Sequence, residues 1–380
     1  MIEIVEGYAT AVLHARILRP VGQNCKRLSF NSCYGVAIIA PTLMTFDTCS
    51  DISLARIEAA ARTIDAVFLS TPQFFDASLS AALSRHVLVK VETANPIRSF
   101  KGRGANFLMQ RLEPGQRVVC SSTGNFGQAI AYAGRRSRVE VHVFVPVGSN
   151  PLKVARIEAF GAQITIAGRD SAECGEQACG YAASNPGCVL IEDAKEPAIA
   201  EGAGTIGVEL LRSGPFDAIV LPVGDGALIC GVARWFKEHS PSTRVVGVCA
   251  SGAPSMVLSW RAKKQVCSER SDTIADGLEV RRPAPEAVAR LCALVDDMVL
   301  VDDAELINGM RLAVQTLGLL IEPAAAAGLA ALLSGHIAED RVATVLTGSN
   351  VRPELLQDVM AGTAPVTGPS FPPVVGSVRR

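Results

Sequence analysis

From residue 86 onward the chain alternates between two hydrophobic rhythms. Short runs rich in Val and Ile have strand length and composition: HVLVKVE (86–92), RVVCSS (117–122), VEVHVFV (139–145), QITIAG (163–168) and CVLIE (188–192). Between them NFGQAIAYAGR, NPLKVARIEAFGA and a stretch from about Ser171 to Asn185 carry apolar residues at helical spacing. A second series runs through FDAIVLPV, a helix after Ala227, RVVGVCA and RVATVLTG. Strands alternating with helices, closed by Gly or Pro, predict βαβ units and a mostly parallel sheet. Before residue 50 the periodicity is weak. SLARIEAAARTI, with its serine start, is the first clear helix, so residues 1–43 read as an accessory extension. YGVAIIAPTLMTF, from Tyr34, is the longest apolar run; it is broken by Pro41, reads as strand or loop, and falls short of a bilayer span. TAPVTGPSFPPVVGSVRR, rich in Pro, Gly and Ser, predicts a flexible tail over 363–380.

Composition narrows the function classes. The 380 residues are 49% hydrophobic and 19% charged, enough to bury a large core. A formal net charge of −1 gives no footprint for nucleic acid or for a polybasic membrane surface. The 11 cysteines show no CxxC pair, which predicts buried, reduced thiols in a cytoplasmic protein. The five histidines form no HExxH pattern, so no metal site is predicted.

The candidate chemistry lies in four short segments. NPIRSFKGRGANF (95–107) sets Lys101 between Phe100 and Gly102, among glycines that a surface helix would avoid. SSTGN (121–125), VGDGALICG (223–231) and LTGSN (346–350) each follow a predicted strand, and ligands of open α/β sheets bind at strand carboxyl ends. Small residues let backbone approach a ligand, and free N–H groups at a helix start bind anions. Each loop alone is an ordinary turn. Their joint presence with a lysine between Phe and Gly is harder to explain as turns. In VGDGAL, Asp225 would repel a phosphate, so its side chain is expected to point away or to bond backbone N–H groups.

Taken in order, SFKGRGA, STGNFGQ, GAGTIGVEL, VGDGAL, TIADGLEV, IEPAAAAGLAAL and LTGSN resemble the fold-type II pyridoxal-phosphate enzymes, in the threonine/serine dehydratase and serine racemase branch. The resemblance covers roughly residues 52 to 360. It implies an α/β fold of two open, twisted, mostly parallel sheets flanked by helices, like the tryptophan synthase β chain, with the cofactor between domains. It also implies a large cofactor-binding domain over 44–116 plus 195–362 and a small domain over 117–194. Lys101 would bind pyridoxal 5'-phosphate as a Schiff base, in a desolvated pocket that favours the neutral amine. Phe100 would pack on the ring, Asn125 would bond its 3' oxygen, and Thr347 would face its nitrogen. Backbone of Gly224, Asp225, Gly226, Ala227 and Leu228 would hold the phosphate, and Glu322 would lie near the ring. Ser122, Thr123 and the amides around Gly124 would hold a substrate carboxylate.

The implied activity is loss of water and ammonia from a β-hydroxy amino acid of the threonine or serine type, by a cytoplasmic homodimer. The alternatives are cysteine synthase-like β-replacement, racemisation, and a nucleotide-binding protein using VGDGAL. Thr123, where racemases carry serine, points away from racemisation, and Ala250-Ser251-Gly252 lacks the acid of the racemase divalent-metal site. Arg98 and Phe126 also depart from the family pattern and point to a substrate other than plain threonine, bulkier or acidic.

Overall fold

The computed structural model describes residues 51–122 and 124–361. The expected extension over 1–43, the run from Tyr34, the tail over 363–380 and Thr123 therefore lie outside the described residues. Among the described residues there are ten strands: β1 (Gln73–Phe75), β2 (His86–Val91), β3 (Arg117–Ser121), β4 (Glu140–Val145), β5 (Gln163–Ile166), β6 (Cys188–Ile191), β7 (Ala218–Pro222), β8 (Arg244–Ala250), β9 (Asp297–Val301) and β10 (Arg341–Leu346). They form a six-stranded sheet in the order β1-β2-β10-β7-β8-β9 and a four-stranded sheet in the order β5-β4-β3-β6. Only β1 runs antiparallel, pairing Gln73 with Lys90. The mostly parallel α/β architecture read from the sequence is therefore the one observed.

Parallel pairing demands crossover helices, and these cover both faces. The central strands accordingly read as near-continuous apolar runs: all five residues of β7 are buried. One apolar core lies between the lysine-bearing helix, its neighbours and both sheets, and a second lies under the alanine-rich helix Pro323–Leu333. Two strands had weak sequence signals. β1 is three residues long, and β9 is only partly buried, so neither shows a clean period. Of the eight described cysteines, Cys120, Cys174, Cys230 and Cys249 are buried, while Cys179 and Cys267 are exposed, so the expected burial of the thiols holds in part. No helix among the described residues is long and apolar enough to cross a membrane.

Candidate active site

The carboxyl ends of β3, β6, β7 and β10 open into one cavity of about 470 Å³. β2 leads into a turn organised by Asn95, whose Oδ1 accepts from the backbone N–H of Ile97 and Ser99 at 3.1 and 3.3 Å. Ser99 then bridges to Gly348, and Phe100 donates its N–H to the Thr347 carbonyl at 3.0 Å. This fixes the start of the helix Lys101–Met109, where Ser99 Oγ accepts the N–H of Lys101 at 3.2 Å. Lys101 is thus the first residue of a helix anchored to the end of β10.

The rest of that helix is locked from behind. Arg103 is fully buried. Its guanidinium reaches Glu92 at 2.8 and 2.9 Å and Glu209 at 2.7 and 3.0 Å, and donates to Thr205 and Thr71. Lys90, also buried, adds an ion pair to Glu209 at 2.6 Å. Burial alone would push the Glu209 carboxyl up, but Arg103 and then Lys90 outweigh it and hold it at about 2. Two cations and two carboxylates balance in a dry space, which is how buried charge is tolerated.

Around the cavity stand Phe100, Lys101, Ser122, Asn125, residues 224–228, Glu322 and Thr347. The structure thus brings together ten of the expected cofactor and catalytic residues. Lys101 Nζ lies 5.1 Å from the centre of the Phe100 ring and 5.7 Å from that of Phe126. Asn125 donates to Glu322 Oε1 at 2.5 Å and accepts from Asn350 at 2.9 Å. Glu322 precedes the helix Pro323–Leu333 but does not cap it; its carboxylate turns to the cavity, where Oε2 is buried with no hydrogen-bond partner. Burial lifts this carboxyl above its usual value, against the pull of Lys153. Gly226 takes φ 91°, and a Cβ on Gly224 would meet the Gly277 carbonyl at 2.2 Å, so the loop before the helix Ala227–His239 requires both glycines.

Three expectations change. Gly124 does not line the cavity, and Ser122 Oγ is already engaged, accepting the N–H groups of Gly124 and Gly127 at 3.0 and 2.8 Å. The Ser122 hydroxyl therefore shapes its own loop first. Asp225 makes no bond to backbone N–H among the described residues; it lies within electrostatic reach of Asp193 and Lys101. Arg98 is exposed and does not line the cavity, because its backbone turns out of the site at φ 54°. Phe126 does line it.

Three more residues were not singled out from the sequence. Lys153 is buried, 2.8 Å from Asp276 and 3.4 Å from Glu322. Burial opposes its charge, but Glu322 and Asp276 outweigh this and hold the ammonium above its usual value. Its signal was a lysine four residues before buried Ile157, on the apolar stripe of its helix. Asp276 belongs to TIADGLEV, quoted above without a role. Asp193, just past β6, forms an ion pair with Lys101.

The set fits pyridoxal phosphate. It offers a primary amine for the aldehyde, the amino end of a 13-residue helix for the phosphate, and amide and hydroxyl groups for the ring heteroatoms. The comparisons agree. The profile of the family described as "Pyridoxal-phosphate dependent enzyme" matches residues 67–348. The L-threonine ammonia-lyase of Thermotoga maritima is 29% identical, over 81% of this chain and 78% of that one. The L-threo-3-hydroxyaspartate ammonia-lyase of a Pseudomonas species is 31% identical, over 80% and 97%. Among solved structures, maize serine racemase superposes with a TM-score of 0.75 at 28% identity, over 82% of this chain and 97% of that one. A cavity built around Lys101 and a profile spanning most of the chain lead to one conclusion: this chain belongs to the pyridoxal-phosphate dependent enzyme family.

Proposed function

We propose that the chain is an ammonia-lyase that converts a β-hydroxy amino acid, of the threonine or serine type, into a 2-oxo acid and ammonia. The observation that carries this is the placement of Lys101 at the cavity with Phe100, Asn125, Glu322, Thr347 and the 224–228 loop around it. Relatives named as ammonia-lyases acting on L-threonine and L-threo-3-hydroxyaspartate support the reaction type. When bound through Lys101, the cofactor draws electron density from the substrate's Cα and so acidifies its C–H bond.

The chain's own groups supply the rest. The helix start at Gly224, Asp225, Gly226, Ala227 and Leu228 holds the phosphate, and Phe100 walls one side of the ring. Asn125 donates to the ring oxygen. Thr347 offers the ring nitrogen a neutral hydroxyl, which does not force it to stay protonated; this favours elimination over transamination. Ser122, Thr123 and nearby amides receive the substrate carboxylate, and the Lys101 amine takes the Cα proton. Phe126 narrows the substrate space. The same reading divides the chain into a larger part, 44–116 plus 195–362, and a smaller part, 117–194. It has the protein working as a cytoplasmic homodimer, which light scattering on purified protein tests.

The decisive experiment is an absorption spectrum with a substrate panel. Purified protein is expected to show a lysine-bound cofactor band that Lys101→Ala loses. It is expected to release 2-oxo acid from at least one of L-threonine, L-serine, threo-3-hydroxyaspartate and phenylserine. A protein that gains no band on adding cofactor, or that has the band but acts on none of the four, sinks the proposal.

A further inference from the structure

We propose that the cavity takes a substrate with a positive charge on its β-carbon, recognised by the carboxylates of Asp193 and Asp225; this rests on the lyase reading above and adds β-amino amino acids to its substrates. The starting point is charge pairing around the cavity. Lys153 is committed to Asp276 and Glu322, Lys195 to Glu192, Arg281 to Asp170 and Arg282 to Glu176. Among the described residues Lys101 is the one lining cation left, and its partner is Asp193. Asp193 is only 9% exposed, and its second oxygen, Oδ1, is buried without a hydrogen-bond partner. Asp225 lines the cavity beside this pair, with no ion pair of its own among the described residues.

Lys101 cannot neutralise these acids throughout the reaction. Its nitrogen takes the Cα proton as a neutral amine, so at that step both carboxylates face the substrate with no cation from the chain. A buried charge without a partner is costly, and a second like charge beside it adds to the cost. Burial first, and Asp193 second, push Asp225 up to about 6, against the pull of Lys101, which is the direction a missing cation produces. The missing charge has a defined place. Asp193 touches the nitrogen that removes the Cα proton, so its carboxylate lies next to the substituent on the neighbouring carbon. An ammonium at that position is attracted to both acids, and a side-chain carboxylate is repelled by them.

The step balances in atoms and in charge. The Cα–H bond breaks, its proton goes to Lys101 Nζ, and its electron pair forms the Cα–Cβ double bond. The Cβ–N bond breaks, and its pair stays on nitrogen, which leaves as neutral ammonia with the three hydrogens that the ammonium already held. No acid from the protein is needed. One positive charge vanishes from the substrate as another forms on Nζ, so Asp193 faces a cation before and after, and the second state is the ion pair seen in the structure. Water then releases the α-nitrogen. L-2,3-diaminopropionate and one water thus give the three-carbon 2-oxo acid and two ammonia.

The test compares kcat/KM for L-2,3-diaminopropionate and for L-serine, which differ only in the β-substituent, in the cofactor-loaded full chain and in Asp193→Asn. Absorption follows cofactor uptake and gives the Kd of each amino acid. The parent is expected to use diaminopropionate at least as well as serine. In Asp193→Asn the diaminopropionate-to-serine ratio is expected to fall about 10-fold or more, both in kcat/KM and in affinity, the scale of a hydrogen bond between charged groups. Asp193→Glu, which keeps the charge, is expected to recover part of that ratio. Where Asp193→Asn takes up no cofactor, Asp225→Asn reads the same ratio; loss of uptake by both overturns the assignment, by placing the acids in the cofactor's seat. An unchanged ratio also overturns it. A parent that does not turn over diaminopropionate overturns the inference, and the lyase reading falls with it only if the β-hydroxy amino acids fail as well.

Discussion

Arg98 holds a backbone conformation that side chains resist. Its φ of 54° lies in the left-handed region, where a Cβ crowds the following carbonyl at about 1–2 kcal/mol. The turn needs that geometry because Ser349 donates its N–H to the Arg98 carbonyl at 3.0 Å, next to the Ser99–Gly348 bridge. Glycine suits the position, although its greater freedom in the unfolded chain offsets part of the gain. Arg98→Gly is therefore expected to raise stability by about 0.5 kcal/mol, read as a shift in denaturation midpoint. It is also expected to leave substrate preference unchanged, because the side chain is exposed and outside the cavity. A changed preference would return Arg98 to the site. At this scale the sequence was legible as placement: Lys101, Asn125 and Thr347, from three separate segments, line one cavity. Lys153 and Asp193 were not legible. A lysine on an apolar stripe and an acid after a strand are common, and only the fold shows what each one faces.

The lysine helix Lys101–Met109 shows why glycine, which weakens a helix, is nonetheless placed in one. A Cβ on Gly104 would come within 2.6 Å of the Ile199 carbonyl, and one on Gly202 within 2.6 Å of the Gly104 Cα. The helices Lys101–Met109 and Pro197–Leu210 therefore touch backbone to backbone. Gly104 and Gly202 are the contact that sets the depth of the lysine helix. Alanine in a helix interior gains about 0.5–1 kcal/mol over glycine, but overpacking a tight contact costs about 1–3 kcal/mol. The clash meets backbone, which yields little, so it wins. Gly104→Ala is expected to lower stability by about 1–2 kcal/mol in urea unfolding. It is also expected to weaken cofactor uptake, since Lys101 begins the displaced helix. A variant as stable as the parent would show that the helices can part without loss.

Across the whole molecule, the alternation of strand and helix was readable because buried parallel strands are long apolar runs. Strand order was not, because nothing in RVATVLTG says that it enters the middle of a sheet. β10, the last strand, inserts between β2 and β7, pairing Val342 with both Val87 and Ala218. The four-stranded sheet, by contrast, closes within residues 117–191. Contacts between distant positions form late, because loop closure precedes their gain. Pulse-labelled amide exchange during refolding is expected to protect β3 and β4 before β2 and β7; simultaneous protection would refute that order. The central place of β10 also bears on synthesis at the ribosome. Lys101 is made about 250 residues before Thr347, whose carbonyl holds the Phe100 N–H. At about 5–20 residues per second the lysine waits roughly 12–50 seconds for its partner strand. Pyridoxal phosphate is a free aldehyde, and an unfinished chain offers it only one lysine among many. Cofactor capture through Lys101 is therefore expected of chains that have reached β10 and not of shorter ones.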